Sequence, residues 1–351
     1  MNDTSPPSSD ASGKPRVSVV IVSWNAVGYL RRCLASLRET RVSDGEDCVA
    51  EIIVVDNQSS DGSPDMVKRE FPEVTLVHAG SNLGFGRANN VGFARVGSPF
   101  VALVNSDALV HAGCLQSLRD YLVAQPRAGL VGPLVFGGDG RQQATCRRLP
   151  TLWNLLCRAL ALDRLFPDVA ALSGFEIPRH LLRNDQVSDA EVVSGCFCVA
   201  RAEAIEQVGG FDEQFFFYGE DIDWCRRFAA AGWKVQFVPH ASATHFGGGS
   251  TANAPLRYSI EILSATLKYW RKHHSLPSQW ACHGLLLLHH GMRLAARGVV
   301  RFARAAVGLR NSSRSHWKFQ EDRVCVQWLL TPKSTGTASR NATAGVRDEA
   351  V

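Results

Sequence analysis

The sequence predicts an α/β fold, a mainly parallel sheet with helices on both faces. Two observations carry this. Short β-branched apolar runs recur: VSVVIVS from Val17, EIIVVD from Glu51 to Asp56 and PFVALV from Pro99 to Val104. Between them lie segments with apolar residues at helical spacing, such as Tyr29 to Leu37. Strands that alternate with helices form parallel sheets buried on both sides. Further along, Ser63 can cap a helix with Pro64 at its first position, and Val74 to His78 reads as a strand. Gly86 to Ala94 and Gly113 to Val123 read as helices. A less regular stretch runs from Gly137 to Asp189, within which Leu152 to Leu165 can be a helix. Then EVVSGCFCVA reads as a strand, Arg201 to Gln207 as a short helix, and FDEQFFFYGEDIDWCRRFAAAG as a loop entering a helix, before a strand WKVQFVP.

The 351 residues are 45% hydrophobic, ample for a large core, and the formal net charge is only +5. No basic run interleaves with aromatics, so nucleic acid is not the partner. Ten cysteines without a CxxC pair point to a reducing compartment. Met1 to Pro15 is polar and lacks the basic start and apolar stretch of a secretory signal, which reads as a disordered cytoplasmic tail. The expected division is a tail at 1–15, an α/β domain at 16–254, a basic amphipathic helical segment at 255–312 and a flexible tail at 313–351.

Trp280 to Val300 is apolar but interrupted by His289, His290, Arg293 and Arg297, which makes a bilayer-spanning helix costly. Arg293, Arg297, Arg301 and Arg304 share one helix face, with Leu294, Val299, Val300 and Phe302 largely elsewhere. Such a helix suits the surface of an anionic membrane. The alternative is packing on its own domain or on a second subunit, as in a homodimer.

Ligands of such sheets bind beyond the carboxyl ends of the strands, which singles out Asp56, Asn82 and Asp107. Asp56 is either a turn former or a carboxylate that accepts a bond from a pyrimidine ring. Asp107, in Asn105-Ser106-Asp107, is either a turn residue or an oxygen ligand for a divalent cation that also grips a diphosphate. Glu220, Asp221 and Asp223 open a helix, where carboxylates suit the helix dipole without any chemistry. With Ile222, Cys225 and Phe228 or Ala229 as the buried stripe, these acids should lie at an exposed helix start. Phe215 to Tyr218 could wall a partly dry cleft that raises a carboxyl pKa into the working range of a general base. His245 is either structural or a ligand, beside a glycine run at 247–249 that lacks the Lys and spacing of a phosphate loop. No GxGxxG follows the first strand, which weighs against a dinucleotide-binding dehydrogenase.

In this order, VSVVIVSWN, EIIVVDNQSSDGS, NLGFGRANNVGF, VALVNSDA, VSGCFCVARAEAIEQVGGFDEQFFFYGEDIDWCRRFAAAGW and THFGGGS resemble family 2 glycosyltransferases, particularly the rhamnosyltransferase-like branch. The resemblance implies a GT-A fold and an inverting transfer of a sugar from a nucleotide diphosphate donor. The first choice of donor is dTDP-L-rhamnose, then a UDP-sugar. The acceptor would be a glycan or lipid-linked glycan of the cell surface, met at the inner face of the cell membrane. Asp56 would recognise uracil or thymine, and Asn82, Gly84 and Asn89 would line the nucleotide pocket. Asp107 matches the last carboxylate of a DxD metal motif whose first position is here Asn105, with His245 as second ligand to Mn2+ or Mg2+. Asp221 matches the catalytic base, with Glu220 and Asp223 orienting it or touching the acceptor. The rival readings are an inactive nucleotide-sugar binding protein and a sugar nucleotidyltransferase, but WNAVGYL after the first strand does not match the latter's phosphate loop.

Overall fold

The run at Val17 forms strand β1 (Val17–Ser23), buried at every position but one. A computed structural model describes residues 9, 13–43, 48–177, 185–247, 255–310 and 312–331. The chain divides into two units, Met1–Leu149 with Arg179–Ser250, and Pro150–Pro178 with Thr251–Val351.

In the first unit β1 lies between two parallel neighbours, β2 (Val49–Asp56) and β4 (Phe100–Val104), and β3 (Thr75–His78) extends the parallel run beyond β2. On the other side β10 (Phe197–Arg201) enters antiparallel between β4 and β6 (Ala128–Phe136). β11 (Lys234–His245) runs parallel to β6, and carries β5 (Ala108–Val110) and β8 (Ser188–Asp189) antiparallel. The α/β sheet is thus mixed and mostly parallel, with its β3-β2-β1-β4 half parallel throughout. A small antiparallel pair, β7 (Cys146–Arg147) with β9 (Val192–Val193), stands apart from it.

Helices cover both faces. α1 (Val27–Ser43) buries Leu30, Cys33, Leu34 and Leu37, the i, i+3, i+4, i+7 stripe read from the sequence. Each such leucine contributes about 1.5–3 kcal/mol by leaving water. α2 (Ser63–Glu70) adds Met66 and Val67 to the same core, and α4 (Cys114–Ala124) adds Leu115, Leu118 and Leu122. Gly62, not Ser63, occupies the cap position of α2; Ser63 begins the helix and donates from both N and Oγ to Asp61 Oδ1. On the opposite face α3 (Phe85–Phe93) sits so close that a Cβ at Gly92 would meet Val20 Cγ1 at 2.3 Å. α7 (Ala202–Val208) and α8 (Glu220–Ala230) complete this unit.

The second unit is helical: α5 (Leu152–Ala159), α6 (Leu162–Leu165), α9 (Pro255–His273), α10 (Leu276–Ala306) and α11 (Ser313–Leu330). Thr151 and Asn154 form a reciprocal capping box at the start of α5. Two expectations are corrected here. The flexible tail does not begin at residue 313, because Ser313–Leu330 is helical and buries Cys325 and Leu329. The arginine face of α10 is turned to α11. Asp322 of α11, 1% exposed, is held by His290 Nδ1 at 3.0 Å, Arg293 Nε at 3.6 Å and Arg297 Nη1, while Arg301 lies 4.9 Å from the Phe319 ring centroid. A buried carboxylate needs such partners, so these cations serve packing within their own unit. Val299, Val300 and Phe302 are exposed instead. Among the described residues no helix is long and apolar enough to cross a membrane. All ten cysteines are free and buried.

Candidate active site

The site is built at the carboxyl ends of β1, β2 and β4. Ser23 and Asp56 are register partners at the ends of β1 and β2, and Asn57 N donates to Ser23 O at 2.8 Å. Asn57, 3% exposed, ties the following loops together. Its Nδ2 donates to Asn82 Oδ1 at 3.0 Å and Gly84 O at 3.3 Å, and its Oδ1 accepts from Leu83 N at 2.8 Å. Asn25 does the same across the next gap, its Oδ1 accepting from Ser60 N at 2.7 Å. Asp61 Oδ2 accepts from Val27 N, the first residue of α1.

Asp56 is 5% exposed and fills the turn role weighed for it: Ser59 N donates to its Oδ1 at 3.2 Å, while His78 Nδ1 lies 3.4 Å from Oδ2. Asn82 and Gly84 lie beside it in the loop that Asn57 holds. Gly84 has φ +81°, and a Cβ there would meet Phe216 O at 2.2 Å. Only glycine fits, because the backbone is left-handed and the aromatic loop leaves no room. Asn89 does not line this pocket. It is 2% exposed within α3, and its Nδ2 donates back to Phe85 O at 3.0 Å.

Asp107 and His245 are 138 positions apart and meet at 3.2 Å, Asp107 Oδ1 to His245 Nε2. The sheet brings them together, since Ala108 on β5 pairs with His245 on β11 and Phe246 N donates to Asp107 O. Asn105 Nδ2 is also 3.2 Å from His245 Nε2. Gln143 holds the other edge of the ring: its Nε2 donates to His245 O at 2.7 Å and its Oε1 lies 3.0 Å from Nδ1. With Oε1 an acceptor, Nδ1 carries the proton and the Nε2 lone pair is directed toward Asp107 and Asn105. A carboxylate oxygen beside an imidazole lone pair is a donor set that fits a divalent cation, with diphosphate oxygens to complete the shell. Gln143 supplies the outer contact that orients such a ligand. No group of three or more His, Cys, Asp or Glu converges among the described residues.

The acids of α8 are not exposed as expected. Glu220 is 5% and Asp223 0% exposed, and Trp224, Cys225 and Phe228 share their buried side, while Ala229 faces outward. Tyr218 and Gly219, both left-handed at φ +68° and +84°, turn the chain sharply into the helix. Asp223 is fully buried. It accepts from Arg227 Nε at 2.8 Å, and Arg227 Nη1 and Nη2 bind Val208 O and Gly210 O. Asp221 keeps an open side and pairs with Arg147, whose Nη2 donates to Oδ2 at 2.7 Å. The carboxyl that burial pushes up is the neighbouring Glu220, with the Asp221 charge adding to the effect. Its Oε2 is buried without a hydrogen-bond partner. Phe215 belongs to the core, and Phe216, Phe217 and Tyr218 are partly exposed around Asp221's loop.

Sequence reasoning missed Asn25, Asn57, Gln143 and Arg147. Asn57 adjoins Asp56 and was within reach of the same strand-end argument. Gln143 and Arg147 lie in a stretch whose strand is two residues long, too short for any period to be seen.

The profile of glycosyl transferase family 2 matches residues 18–209, and that of glycosyl transferase family group 2 matches residues 176–319. The chain is 29% identical to N-acetylglucosaminyl-diphospho-decaprenol L-rhamnosyltransferase of Mycobacterium tuberculosis over 324 residues, covering 87% of this chain and 98% of that protein. It is 25% identical to rhamnosyltransferase WbbL of Escherichia coli K12, over 66% of this chain and 83% of that one. The fold is that of the mannosyltransferase PcManGT from Pyrobaculum calidifontis, solved with GDP-Man and Mn2+, at TM-score 0.54 and 18% identity over 92% of this chain and 88% of that one. With its α/β GT-A sheet and a family profile spanning more than half its length, the chain belongs to glycosyl transferase family 2.

Proposed function

We propose that this glycosyltransferase moves L-rhamnose from dTDP-L-rhamnose onto a sugar carried on a prenyl diphosphate, with inversion at the anomeric carbon. The observation that carries the reading is the nearly end-to-end likeness to the mycobacterial enzyme, which is named for such an acceptor. The joined pair Asp107–His245 supports it. Asp56, Asn82 and Gly84 border the nucleoside end of the donor. Asp107 and His245 hold Mn2+ or Mg2+, which when bound neutralises charge on the departing diphosphate. Asp221 accepts the proton of the acceptor hydroxyl as its oxygen attacks the anomeric carbon from the face opposite the diphosphate. Glu220 stands behind Asp221 as a buried, protonated neighbour.

A cytoplasmic enzyme acting at the inner face of the membrane fits this acceptor. Since the arginine face of α10 is occupied by α11, lipid contact falls to the exposed Val299, Phe302, Val307 and Leu309. Flotation with anionic vesicles tests this, and a concentration-dependent mass without flotation would assign the surface to a homodimer. The function itself is tested by incubating the protein and manganese with a panel of nucleotide sugars, first alone for slow hydrolysis and then with a prenyl-diphosphate-linked N-acetylglucosamine. Turnover of dTDP-L-rhamnose is expected. Turnover of UDP-sugars alone would move the donor assignment, and none with any donor would sink the proposal.

A further inference from the structure

Arg147 and Asp221 meet in a way that hinders the base. Asp221 Oδ2 accepts from Arg147 Nη2 at 2.7 Å and from Gly195 N at 3.4 Å, and Oδ1 accepts from Ile222 N at 2.9 Å. A carboxylate engaged by a guanidinium is held in its ionised form and is a weak acceptor of a further proton. The guanidinium is only partly used. Arg147 binds Asp221 through one nitrogen, and its Nε is buried without a partner. Among the described residues its two-residue strand β7 pairs only with β9, a light tether for a cation beside a site that, on the proposed function, receives diphosphate.

On the function proposed above, we infer that Arg147 is a latch on the base: it holds Asp221 in the free enzyme and passes to a substrate diphosphate when the site fills, leaving Asp221 able to take the acceptor proton. A diphosphate offers the paired oxygens that a guanidinium binds through two nitrogens. The charged and titratable groups around Asp221 are Glu220 and Cys225 on α8, Arg147 and Cys146 on β7, and Cys196 and Cys198 from the loop into β10 and its strand. Burial pushes these thiols up, so they stay neutral, and among the described residues Arg147 is the cation of the group. Arg147 is a positioning residue for Asp221 that becomes a binding residue when substrate arrives.

The test is calorimetry with manganese, with dTDP in one arm and farnesyl diphosphate, a soluble prenyl diphosphate, in the other. Arg147→Gln should weaken whichever diphosphate receives the guanidinium about tenfold or more, and Arg147→Lys should restore part of the loss. In steady state, the acid limb of kcat should lie at higher pH than that of kcat/KM in the wild type, and the two should coincide in Arg147→Gln. Unchanged affinity for both ligands in Arg147→Gln, or limbs that already coincide in the wild type, would overturn the latch. The binding arm needs no turnover, so a failure of the proposed reaction is read separately.

Discussion

Replacing Glu220 by Gln should stabilise the protein at neutral pH and hardly at all in mild acid. Burial, then the Asp221 charge, raises the Glu220 carboxyl from an ordinary 4.5 to about 8. Between those values the folded chain holds a proton that the unfolded chain has released, so wild-type stability falls as pH rises through this window. At about 1.4 kcal/mol per pKa unit, the penalty at pH 7 reaches roughly 3 kcal/mol. Gln has nearly the shape of the protonated acid and no proton to lose. The stability difference should therefore open from near zero at about pH 4.5 to roughly 3 kcal/mol at pH 7, and level off above about pH 8. Urea unfolding of both proteins at each pH unit from 4 to 9 measures it. Parallel curves for the two proteins, or a Gln variant less stable than wild type at pH 7, would refute the buried, protonated Glu220.

Asp221→Asn should lower kcat roughly 100-fold or more while dTDP affinity stays near wild type, because a base acts in the chemical step; single-turnover assays and calorimetry separate the two. Asp223→Asn should instead be a stability mutant: it removes the partner of Arg227, and breaking such a buried pair costs on the order of 3–5 kcal/mol, read as a lowered urea midpoint. Asp107→Ala should make dTDP affinity the same with and without manganese, and equal metal dependence in both proteins would take Asp107 out of the cation site. Gly84→Ala should cost activity and stability together, since its Cβ has 2.2 Å to Phe216 O; a variant with normal melting and turnover would show the loop is slack.

The fold was legible because its inner strands are buried on both faces, so VSVVIVS and PFVALV announce themselves without context. β10 was recognised as a strand, but its antiparallel direction was not. Direction is set by which neighbours it pairs with, and pairing leaves no mark on a run that is apolar throughout. The strand-end rule singled out Asp56 and Asp107, and resemblance to the family singled out Asp221 as base and His245 as ligand. The helix period by itself does not say which of Asp221 and Asp223 faces inward, because two positions along a helix differ by roughly 200° and only packing decides it. The arginines of α10 were read as one face, turned either to a membrane or to protein, and α11 covers that face. Their counter-charge, Asp322, sits on a helix whose polar, Ser- and Arg-bearing sequence resembles a tail until its carboxylate is seen buried.

The contact between Gly84 and Phe216 has a kinetic meaning. Phe85 N donates to Phe216 O at 3.0 Å, and there is no space for even a methyl group between the two loops. On the proposed function, the first of these loops borders the donor and the second leads into the helix that carries Asp221. Close packing of this kind couples the two loops, so the expected outcome is that donor binds before acceptor. Product inhibition by the free nucleotide diphosphate should then be competitive against donor and not against acceptor.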